Sequence, residues 1–544
     1  MNFFYFLITI TPVILVSFLI ILLRLPATKA MVISWFVFAL IGIFGWRIPV
    51  FQVAAASVEG LIIAFSVIWI LFGAILLLNT LTSSGAMVSI RKWFMHISPD
   101  QRIQAIIIAW LLGSFLEGAA GFGSPAAICA PLMVALGFPP VAAVVLSLLS
   151  NSISVTFGSA GTTILVGTIQ GIQQGIQPAP IVSTYLGNTH FLDFIQLVSE
   201  KSAILNIIPG TLLPLILVVL LTRFWGKNKS WKEGLAVWKF ALLSGFSFSG
   251  FAALTAIYLG PEFPTILGSL LALVLMVTLA KKGIFVPKQI WRLNGESAEV
   301  EISGKNSEMS FFRSISPYLI AISILVVSRL NFLPIKDWLN QYQLGLDHIF
   351  GSEISTYFAP FYSPGTIFTL VALLSIFILG VKKEQIRGVI RNTNRNMLSS
   401  VISLGASIPM VRIFLHSGVN ALGFQSMPIE LAADLARVFG PVWTLASPFL
   451  GMLGVFISGS GTISNLMFSL LQFGVAVDYH LAPDTILALQ TVGASIGKMI
   501  CVVNVVAAAS VVGLEGKEGK IIQFTILPAL FFCLVVGFVA LIFF

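Results

Sequence analysis

The sequence predicts an all-α protein that crosses a membrane many times. Only 9% of the 544 residues are charged and 57% are hydrophobic, whereas a soluble protein needs about 25% charged residues to cover its surface. Apolar stretches of about 20 residues, the length that spans a bilayer as a helix, recur along the whole chain. We therefore expect a polytopic membrane protein of roughly 11–14 transmembrane segments, broken ones included, arranged as two inverted repeats.

Each expected segment corresponds to an apolar run bounded by basic or turn-forming residues. The N-terminal run lacks a basic start and a small-residue cleavage pattern, so it is expected to remain as a helix rather than to be removed as a secretory signal. The three cysteines lie in apolar runs, which favours neither disulfides nor a metal site. The clearest runs are 5–23, 29–46, 60–81, 204–222, 241–259, 265–280, 318–330, 366–380 and 521–543.

Basic residues are divided unevenly between the loops. Cytoplasmic loops of membrane proteins carry the excess of Lys and Arg, which predicts that both termini lie outside the cell membrane. The same loops account for the net charge of +9 without a nucleic-acid partner. Twenty-three of the 30 Lys and Arg fall in the loops 24–29, 91–102, 223–239, 281–313, 382–395 and 517–520, and the alternating loops hold five.

Two regions interrupt their apolar runs with Gly, Ser, Thr and Pro. Residues 106–167 begin on the predicted cytoplasmic side, and residues 442–513 begin on the outer side. The segments LLGSFLEG (111–118) and MLGVFISG (452–459) share Leu, Gly, Phe and Gly at the same spacing. Paired interrupted segments in two halves of opposite topology are typical of the binding site of a secondary transporter.

This pattern divides the chain into three parts. Residues 1–280 form a first membrane half with a broken or re-entrant helical hairpin near 114–165. Residues 281–315 form a hydrophilic cytoplasmic connector, expected to be solvated. Residues 316–544 form a second membrane half with its broken hairpin near 455–505.

The stretch FLEGAAGFGSPAA places a glutamate, Glu117, among helix-breaking residues inside an apolar run. A charge at the bilayer centre costs about 2.5–3.5 kcal/mol or more, and intramembrane ionisable residues are functional by default. Irregular backbone survives at that depth only in a protein-lined or water-filled cavity. We therefore expect Glu117 to carry a proton at a polar cavity, with a purely structural ion pair to Lys498 as the alternative.

Hydroxyls, amides and bare backbone at the breaks suit a small oxygen-rich anion, and Lys498 supplies positive charge in an apolar helix. Arg412 is a second intramembrane cation, which would either bind a carboxylate bidentately or extend to the outer interface near His416. The candidate substrate-binding residues are Gly118, Gly121, Ser124, Asn151, Thr162, Ser458, Ser460, Thr462, Ser464, Asn465, Lys498 and Arg412.

In these motifs the chain resembles the bacterial lactate permease family. The likeness covers nearly the whole chain and implies import of lactate, and often glycolate, with protons across the inner membrane. It also implies that Glu117 and Lys498 match the family's intramembrane charges. The segments that carry the likeness are ILFGAILLLNTL (70–81), RIQAIIIAWLLGSF (102–115), GSFLEGAAGFGSPAAI (113–128), SPFLGMLGVFISGSGTISN (447–465) and GKMI (497–500).

The chain departs from the family pattern at the expected site. Gly461 stands where the family usually has Asp, and Ile463 where it usually has Ser. Cys-Val-Val (501–503) follows GKMI in place of Ser-Pro-Gln, and Asn-Ser-Ile-Ser (151–154) replaces Asn-Thr-Ala-Pro. These departures predict a divergent member with one acidic group fewer at the site.

The preferred function is a proton symporter that imports a small monocarboxylate, lactate or else glycolate, across the inner membrane. A carrier of another organic anion is one alternative: a dicarboxylate would need a second cation, such as an inward-facing Arg412. A membrane-embedded enzyme is disfavoured, because neither a nucleophile with its base nor a metal or nucleotide motif is visible. The expected partners are lactate, a proton and the lipid bilayer, without a cofactor, metal or nucleic acid; homo-oligomerisation is left open.

Overall fold

The computed structural model describes residues 3–19, 23, 25–89, 97–119, 121, 124–174, 177–293, 309–328 and 334–544. Helices dominate this part of the chain. In the first half they are α1 Phe3–Ser17, α2 Ala27–Leu40, α3 Val50–Ser83, α4 Gln101–Ala105, α5 Gly113–Ala119, α6 Ser124–Ala135, α7 Pro140–Ser150, α8 Gly158–Thr162, α9 Ile169–Gly171, α10 Pro180–Leu186, α11 Phe191–Leu205, α12 Ile207–Phe224, α13 Trp231–Leu235, α14 Trp238–Leu259 and α15 Pro264–Lys281.

The second half of the chain is also mainly helical. Its helices are α16 Phe311–Val327, α17 Ile335–Asn340, α18 Pro364–Leu379, α19 Lys383–Leu415, α20 Met427–Phe439, α21 Trp443–Ser458, α22 Gly461–Asp478, α23 Pro483–Gly497, α24 Val502–Ser510 and α25 Glu518–Phe543. Wide π-helical turns occur at Ile41–Gly45, Ile106–Leu112 and Thr163–Thr168, and 3-10 turns at Ile153–Phe157, Ile349–Gly351 and Gly440–Val442. Two antiparallel ribbons pair β1 Gln173–Gln174 with β2 Gln177–Pro178, and β3 Leu344–Leu346 with β4 Thr356–Phe358.

Eight helical stretches among the described residues are long and apolar enough to cross a membrane. Four shorter apolar helices accompany them, at Pro125–Ala135, Pro140–Ser150, Gly365–Leu379 and Val401–Leu415. The predicted all-α polytopic membrane fold is therefore confirmed. The eight long stretches are Thr28–Gly45, Val50–Ser83, Phe191–Phe224, Trp238–Leu259, Pro264–Lys281, Ile429–Ser458, Pro483–Ser510 and Glu518–Phe543.

Contacts between loops follow the grouping that the charge count predicts. On the basic side, the Gln385 side chain donates to the Ser83 carbonyl at 2.9 Å. On the other side, the Ala421 amide donates to the Arg47 carbonyl at 3.1 Å. In both cases, segments assigned to one membrane face contact segments assigned to the same face. The orientation of the two termini stays a prediction.

The first broken region, residues 101–171, enters the protein and returns to its own starting side. Helix α4, a π-helical turn and α5 form one run that ends at Ala119, and α6 begins at Ser124; between them only Gly121 is described. The Gln101 side chain donates to the Leu136 carbonyl at 3.1 Å. The tip between α6 and α7 therefore lies beside the start of the region, and α7 then runs inward again.

The second broken region, residues 440–510, follows a similar course. Helix α21 ends at Ser458 and is capped by Gly459, whose φ of 77° is left-handed, and α22 begins at Gly461. A Cβ on Gly440 would overlap the Tyr479 ring, so the tip between α22 and α23 lies beside the start of the region. Helix α23 then runs inward, and α24 continues after residues 498–501.

The two broken regions pack against each other reciprocally. Helix α24, the last piece of the second region, contacts α6 and α7 of the first. The π-helical turn Thr163–Thr168 of the first region contacts α22 and α23 of the second. This exchange is what inverted repeats predict, although the repeat relationship itself stays a prediction, as do the domain boundaries.

The predicted connector is held by the protein at residues 289–293, whereas most of residues 281–290 are exposed, as expected of a solvated loop. The Trp291 amide donates to the Asp100 carboxylate at 3.1 Å, and the Arg102 guanidinium donates to the Gln289 carbonyl at 3.1 Å. Leu293 is buried. Residues 294–308 of the connector lie outside the described residues. Residues 289–293 of the connector are thus fastened to the entrance of the first broken region.

Candidate functional site

Glu117 lies near the end of α5 and is only 2% exposed. Its carboxyl group takes the Asn151 side chain as a hydrogen-bond partner and lies within electrostatic range of Lys498. A Cβ on Gly158 would come within 2.6 Å of Glu117 Oε1, so the carboxyl rests against bare backbone. The predicted proton carrier therefore lies between α7, α8 and the lysine of the second region.

The first broken region contains several buried oxygens without a hydrogen-bond partner among the described residues. Buried polar groups in proteins are nearly always paired, so each exception needs an explanation. Both Glu117 and Asn151 contribute one, and nearby serines on α5, on α7 and in the 3-10 turn Ile153–Phe157 contribute the rest. The atoms are Ser114 Oγ, Glu117 Oε2, Ser147 Oγ, Ser150 Oγ, Asn151 Oδ1 and Ser154 Oγ.

At the second break, Lys498 binds the end of helix α21. Its Nζ donates to the Gly459 carbonyl at 3.1 Å, and the residue is 6% exposed. Carbonyls at a helix C-terminus carry partial negative charge, which favours a cation there. The Ser460 hydroxyl accepts from the Ile463 amide and begins α22. An ammonium group has three donors, so two donors of Lys498 remain for other acceptors.

Asn465 and Ser464 fasten the second break to its surroundings. The fully buried Asn465 Nδ2 lies 3.1 Å from the Thr163 carbonyl, 3.1 Å from Thr168 Oγ1 and 3.0 Å from Thr491 Oγ1, so its two N–H donors are shared among three acceptors. The Ser464 hydroxyl donates to the Gly451 carbonyl at 2.9 Å. Both side chains, predicted to bind substrate, thus have structural partners in this conformation.

The breaks of the two regions meet in the interior. A Cβ on Gly461 would lie 3.4 Å from both Val155 and Thr163, and one on Gly167 would lie 2.7 Å from the Thr462 carbonyl. Nearby, Thr156 and Ser495 share a hydrogen bond of 2.8 Å. The structure therefore brings the start of α22 against residues 155–167 of the first region.

The other predicted residues lie around these breaks with different neighbours. A Cβ on Gly118 would lie 2.8 Å from the Ile266 amide of α15, so this glycine permits close helix packing. Gly121 has a left-handed φ of 61°, and a Cβ there would overlap Ser159 Oγ. Thr162 donates to the Gly158 carbonyl and Ser458 to the Ser460 carbonyl. Ser124 begins α6, but its side chain lies outside the described part.

Arg412 has a buried partner that sequence reasoning missed. Its guanidinium lies 3.5 Å from Glu59 of α3, and His416 Nε2 lies 2.7 Å from the other oxygen of the same carboxylate. The Arg412–Glu59 ion pair and the His416–Glu59 contact join α3 to α19 and its C-cap rather than to either break. Glu59 stands in the apolar run SVEGLIIAF, so the argument applied to Glu117 would also have identified it.

Asn206 was also missed. It lies at the start of α12 and donates to Thr156 Oγ1 at 2.8 Å, which extends the buried polar contacts around the breaks to a third helix. A single asparagine between two apolar runs has no sequence pattern that predicts this contact. Within the described residues, no group of three or more His, Cys, Asp or Glu side chains is placed to hold a metal ion.

Comparison with known proteins agrees with this architecture. The family model for L-lactate permease matches residues 5–544. The glycolate permease GlcA of Escherichia coli is 30% identical over 570 residues, which cover 98% of this chain and 95% of that protein. The L-lactate permease of Bacillus subtilis is 28% identical, covering 91% and 88%. The L-lactate permease of Escherichia coli is 29% identical, covering 97% and 93%.

The match extends over the membrane helices, both broken regions and the two intramembrane charges at their junction. Members of this family are transporters rather than enzymes. The chain is therefore a multi-pass membrane protein that belongs to the L-lactate permease family.

Proposed function

We propose that this protein imports a short 2-hydroxymonocarboxylate, lactate or glycolate, by symport with one proton. Glu117 carries the proton, and Lys498 faces the carboxylate of the substrate. The names of the relatives, glycolate permease and L-lactate permease, support this substrate class.

The observation that carries the proposal is the charge balance at the junction of the breaks. Glu117 and Lys498 are both buried, within electrostatic range of each other, and Glu117 Oε2 has no hydrogen-bond partner among the described residues. Without substrate, an ionised Glu117 and Lys498 sum to zero. With substrate and proton bound, neutral Glu117, the carboxylate anion and Lys498 again sum to zero.

Coupling follows from the cost of the unbalanced states. Proton binding alone leaves a net positive site, and anion binding alone leaves a net negative one. An uncompensated charge at membrane depth costs about 2.5–3.5 kcal/mol or more. The two balanced states therefore dominate, so that proton and carboxylate move together in a ratio of one to one.

The surroundings of the second break favour a small and partly apolar substrate. A Cβ on Gly459 would lie 3.3 Å from Val503 and 3.7 Å from the Cys501 sulfur, so apolar side chains flank the carbonyl that Lys498 binds. The Ser458 and Ser460 hydroxyls lie on the same turn. A carboxylate on Lys498, a hydroxyl near the serines and a methyl near Val503 match the groups of lactate.

A dicarboxylate carrier is less well supported. It would need a second cation, and Arg412 already faces Glu59, while His416 occupies the other oxygen of that carboxylate. We therefore propose a monocarboxylate as the substrate and keep a dicarboxylate as the second candidate.

The test uses proteoliposomes that contain the full chain and take up labelled L-lactate under an imposed inward proton gradient. In Glu117→Gln the neutral amide mimics the protonated acid, so the loaded site stays balanced but the empty site is left with a net positive charge. We expect gradient-driven net uptake to fall about 100-fold, since each 1.4 kcal/mol is a factor of ten, whereas lactate–lactate exchange persists.

Glu59→Gln is the matched control, because Glu59 is also a buried carboxylate but pairs with Arg412 and His416 away from the breaks. It should leave the dependence on the proton gradient intact. Gradient-driven uptake that survives in Glu117→Gln would place the proton on another group. Exchange of succinate but of neither lactate nor glycolate by the unmodified protein would reject the substrate class.

A further inference from the structure

The first turns of α19 carry a line of basic side chains outside the transport site. Lys383, Arg387, Arg391 and Arg395 recur every four residues, a spacing that places side chains on one helix face. Lys383, Arg387 and Arg391 are exposed, and the side chain of Arg395 lies outside the described part. We call Lys383, Arg387 and Arg391 the basic stripe.

The basic stripe borders an open groove with mixed chemistry. The groove has a volume of about 590 Å³ and is lined by the stripe together with Ile386, Ile390 and Asn394. Ile390 is half exposed. Among the described residues, no carboxylate lies within ion-pair distance of the three cations. The groove thus presents unneutralised positive charge beside apolar side chains.

Hydrogen bonds fix the level of the basic stripe relative to the membrane. Gln385 donates to the Ser83 carbonyl at 2.9 Å, and Asn79 donates to Thr393 Oγ1 at 3.0 Å, so the first turns of α19 lie beside the last turns of α3. Helix α19 has 33 residues and is about 50 Å long, whereas the hydrocarbon layer is about 30 Å thick. The apolar part of α19, Val401–Leu415 at its C-terminal end, lies within the hydrocarbon layer.

The basic stripe therefore lies in the headgroup layer, on the side that the charge count predicts to be cytoplasmic. Basic residues just outside a membrane helix attract anionic lipids of that leaflet, by about 1 kcal/mol for each Lys or Arg. Arginine pairs bidentately with phosphate, and the two isoleucines suit the first carbons of an acyl chain. A soluble phosphate or a nucleic acid would have no use for these isoleucines.

We propose that the basic stripe and its groove bind the phosphate headgroup of an anionic phospholipid in the cytoplasmic leaflet. The site is separate from Glu117 and Lys498 and does not depend on the proposed function. The bound lipid neutralises the stripe and fastens α19 to the bilayer at the end opposite the Glu59–Arg412 pair.

The test measures the unfolding temperature of the full chain in neutral detergent with added phosphatidylglycerol or phosphatidylcholine. Phosphatidylglycerol should raise the unfolding temperature more than phosphatidylcholine does, because a ligand of the folded state stabilises it. The variant K383Q/R387Q/R391Q should lose most of this difference. The matched control K227Q/K229Q/K232Q removes the same charge from exposed lysines of another loop on the same predicted side and should keep it.

Three results would overturn the proposal. In the first, the stripe variant keeps the full rise in unfolding temperature with phosphatidylglycerol. In the second, phosphatidylglycerol and phosphatidylcholine raise the unfolding temperature equally. In the third, inorganic phosphate at the same concentration reproduces the rise. The third result would identify a free phosphate as the ligand. If the stripe variant does not fold, the salt dependence of the unmodified chain tests the proposal instead. Salt screens exposed charges, so a contact with the lipid phosphate should weaken as salt is raised. A response to phosphatidylglycerol that is unchanged between about 50 and 500 mM salt would contradict such a contact.

Discussion

The two broken regions follow the same course through the protein but differ in how their buried polar groups are paired. In the second region, Lys498 binds the Gly459 carbonyl, and the Asn465 amide reaches three acceptors. Ser469 Oγ and Asn504 Nδ2 are the buried atoms of this region without a hydrogen-bond partner among the described residues. In the first, Glu117 and Asn151 each keep an oxygen that has no hydrogen-bond partner among the described residues. Unpaired buried groups are costly, so we infer that the first region keeps hydrogen-bonding capacity for proton and substrate, while the second acts as a frame.

The ion pairs at the entrances of the two regions differ in burial. At the first, Asp100 and Arg102 form a fully buried ion pair at 2.5 Å, with Arg102 also donating to the Glu233 carbonyl. At the second, beside the tip between α22 and α23 that lies next to its start, Lys201 and Asp484 form a partly exposed pair at 2.8 Å. A buried charge cannot lose its partner cheaply, whereas an exposed pair contributes little.

The largest expected effect belongs to Asp100→Ala. It leaves the buried Arg102 guanidinium without a carboxylate, which costs about 3–5 kcal/mol, and it removes the acceptor of the Trp291 amide. The unfolding temperature in detergent and the yield of monodisperse protein should both fall strongly. Asp484→Ala serves as the control, and equal losses in the two variants would contradict the difference between the entrances.

An intermediate effect is expected from the two asparagines. Asn465→Ala removes two buried N–H donors that three acceptors share, and should lower the free energy of unfolding by about 1–3 kcal/mol. Asn151→Ala removes a group that faces Glu117, and should lower lactate uptake about tenfold with a smaller change in stability.

The comparison of the asparagine variants needs both measurements, uptake in proteoliposomes and thermal unfolding in detergent. A variant pair in which Asn151→Ala destabilises more than Asn465→Ala would reverse the roles assigned to the two regions. Asn151→Asp adds a second carboxyl beside Glu117 and should also impair uptake, which separates loss of the amide from loss of volume.

The sequence alone predicted the membrane class and the two regions that interrupt their helices, whereas the roles of Glu117 and Lys498 stay predictions. These features depend on residue types that are rarely tolerated in an apolar run, so they are visible without a structure. The role of Asn465 was harder to predict, because an amide at a helix break suits a ligand or a backbone partner equally well. Its substrate contact stays a prediction beside the three acceptors that share its two N–H donors.

Pairings between distant segments could not be predicted. Glu59 and His416 are 357 residues apart in the chain, and nothing in the local pattern joins them. The sequence left open whether the first hairpin is broken or re-entrant, because a short apolar helix does not reveal at which face it ends. The contact between Gln101 and Leu136 is what fixes the course of this hairpin.

The smallest expected effect is that of Lys201→Gln at the second entrance. Its partner Asp484 and the lysine side chain are 17% and 20% exposed, and such pairs contribute about 0.2–1 kcal/mol. The Thr485 hydroxyl, 2.8 Å from Lys201 Nζ, can still accept a hydrogen bond from the glutamine. The unfolding temperature should change little at low salt and not at all at about 0.5 M salt, where exposed charges are screened. Uptake reduced as much as in Asn151→Ala, with stability unchanged, would instead mean that the outer entrance takes part in transport and that the second region is more than a frame.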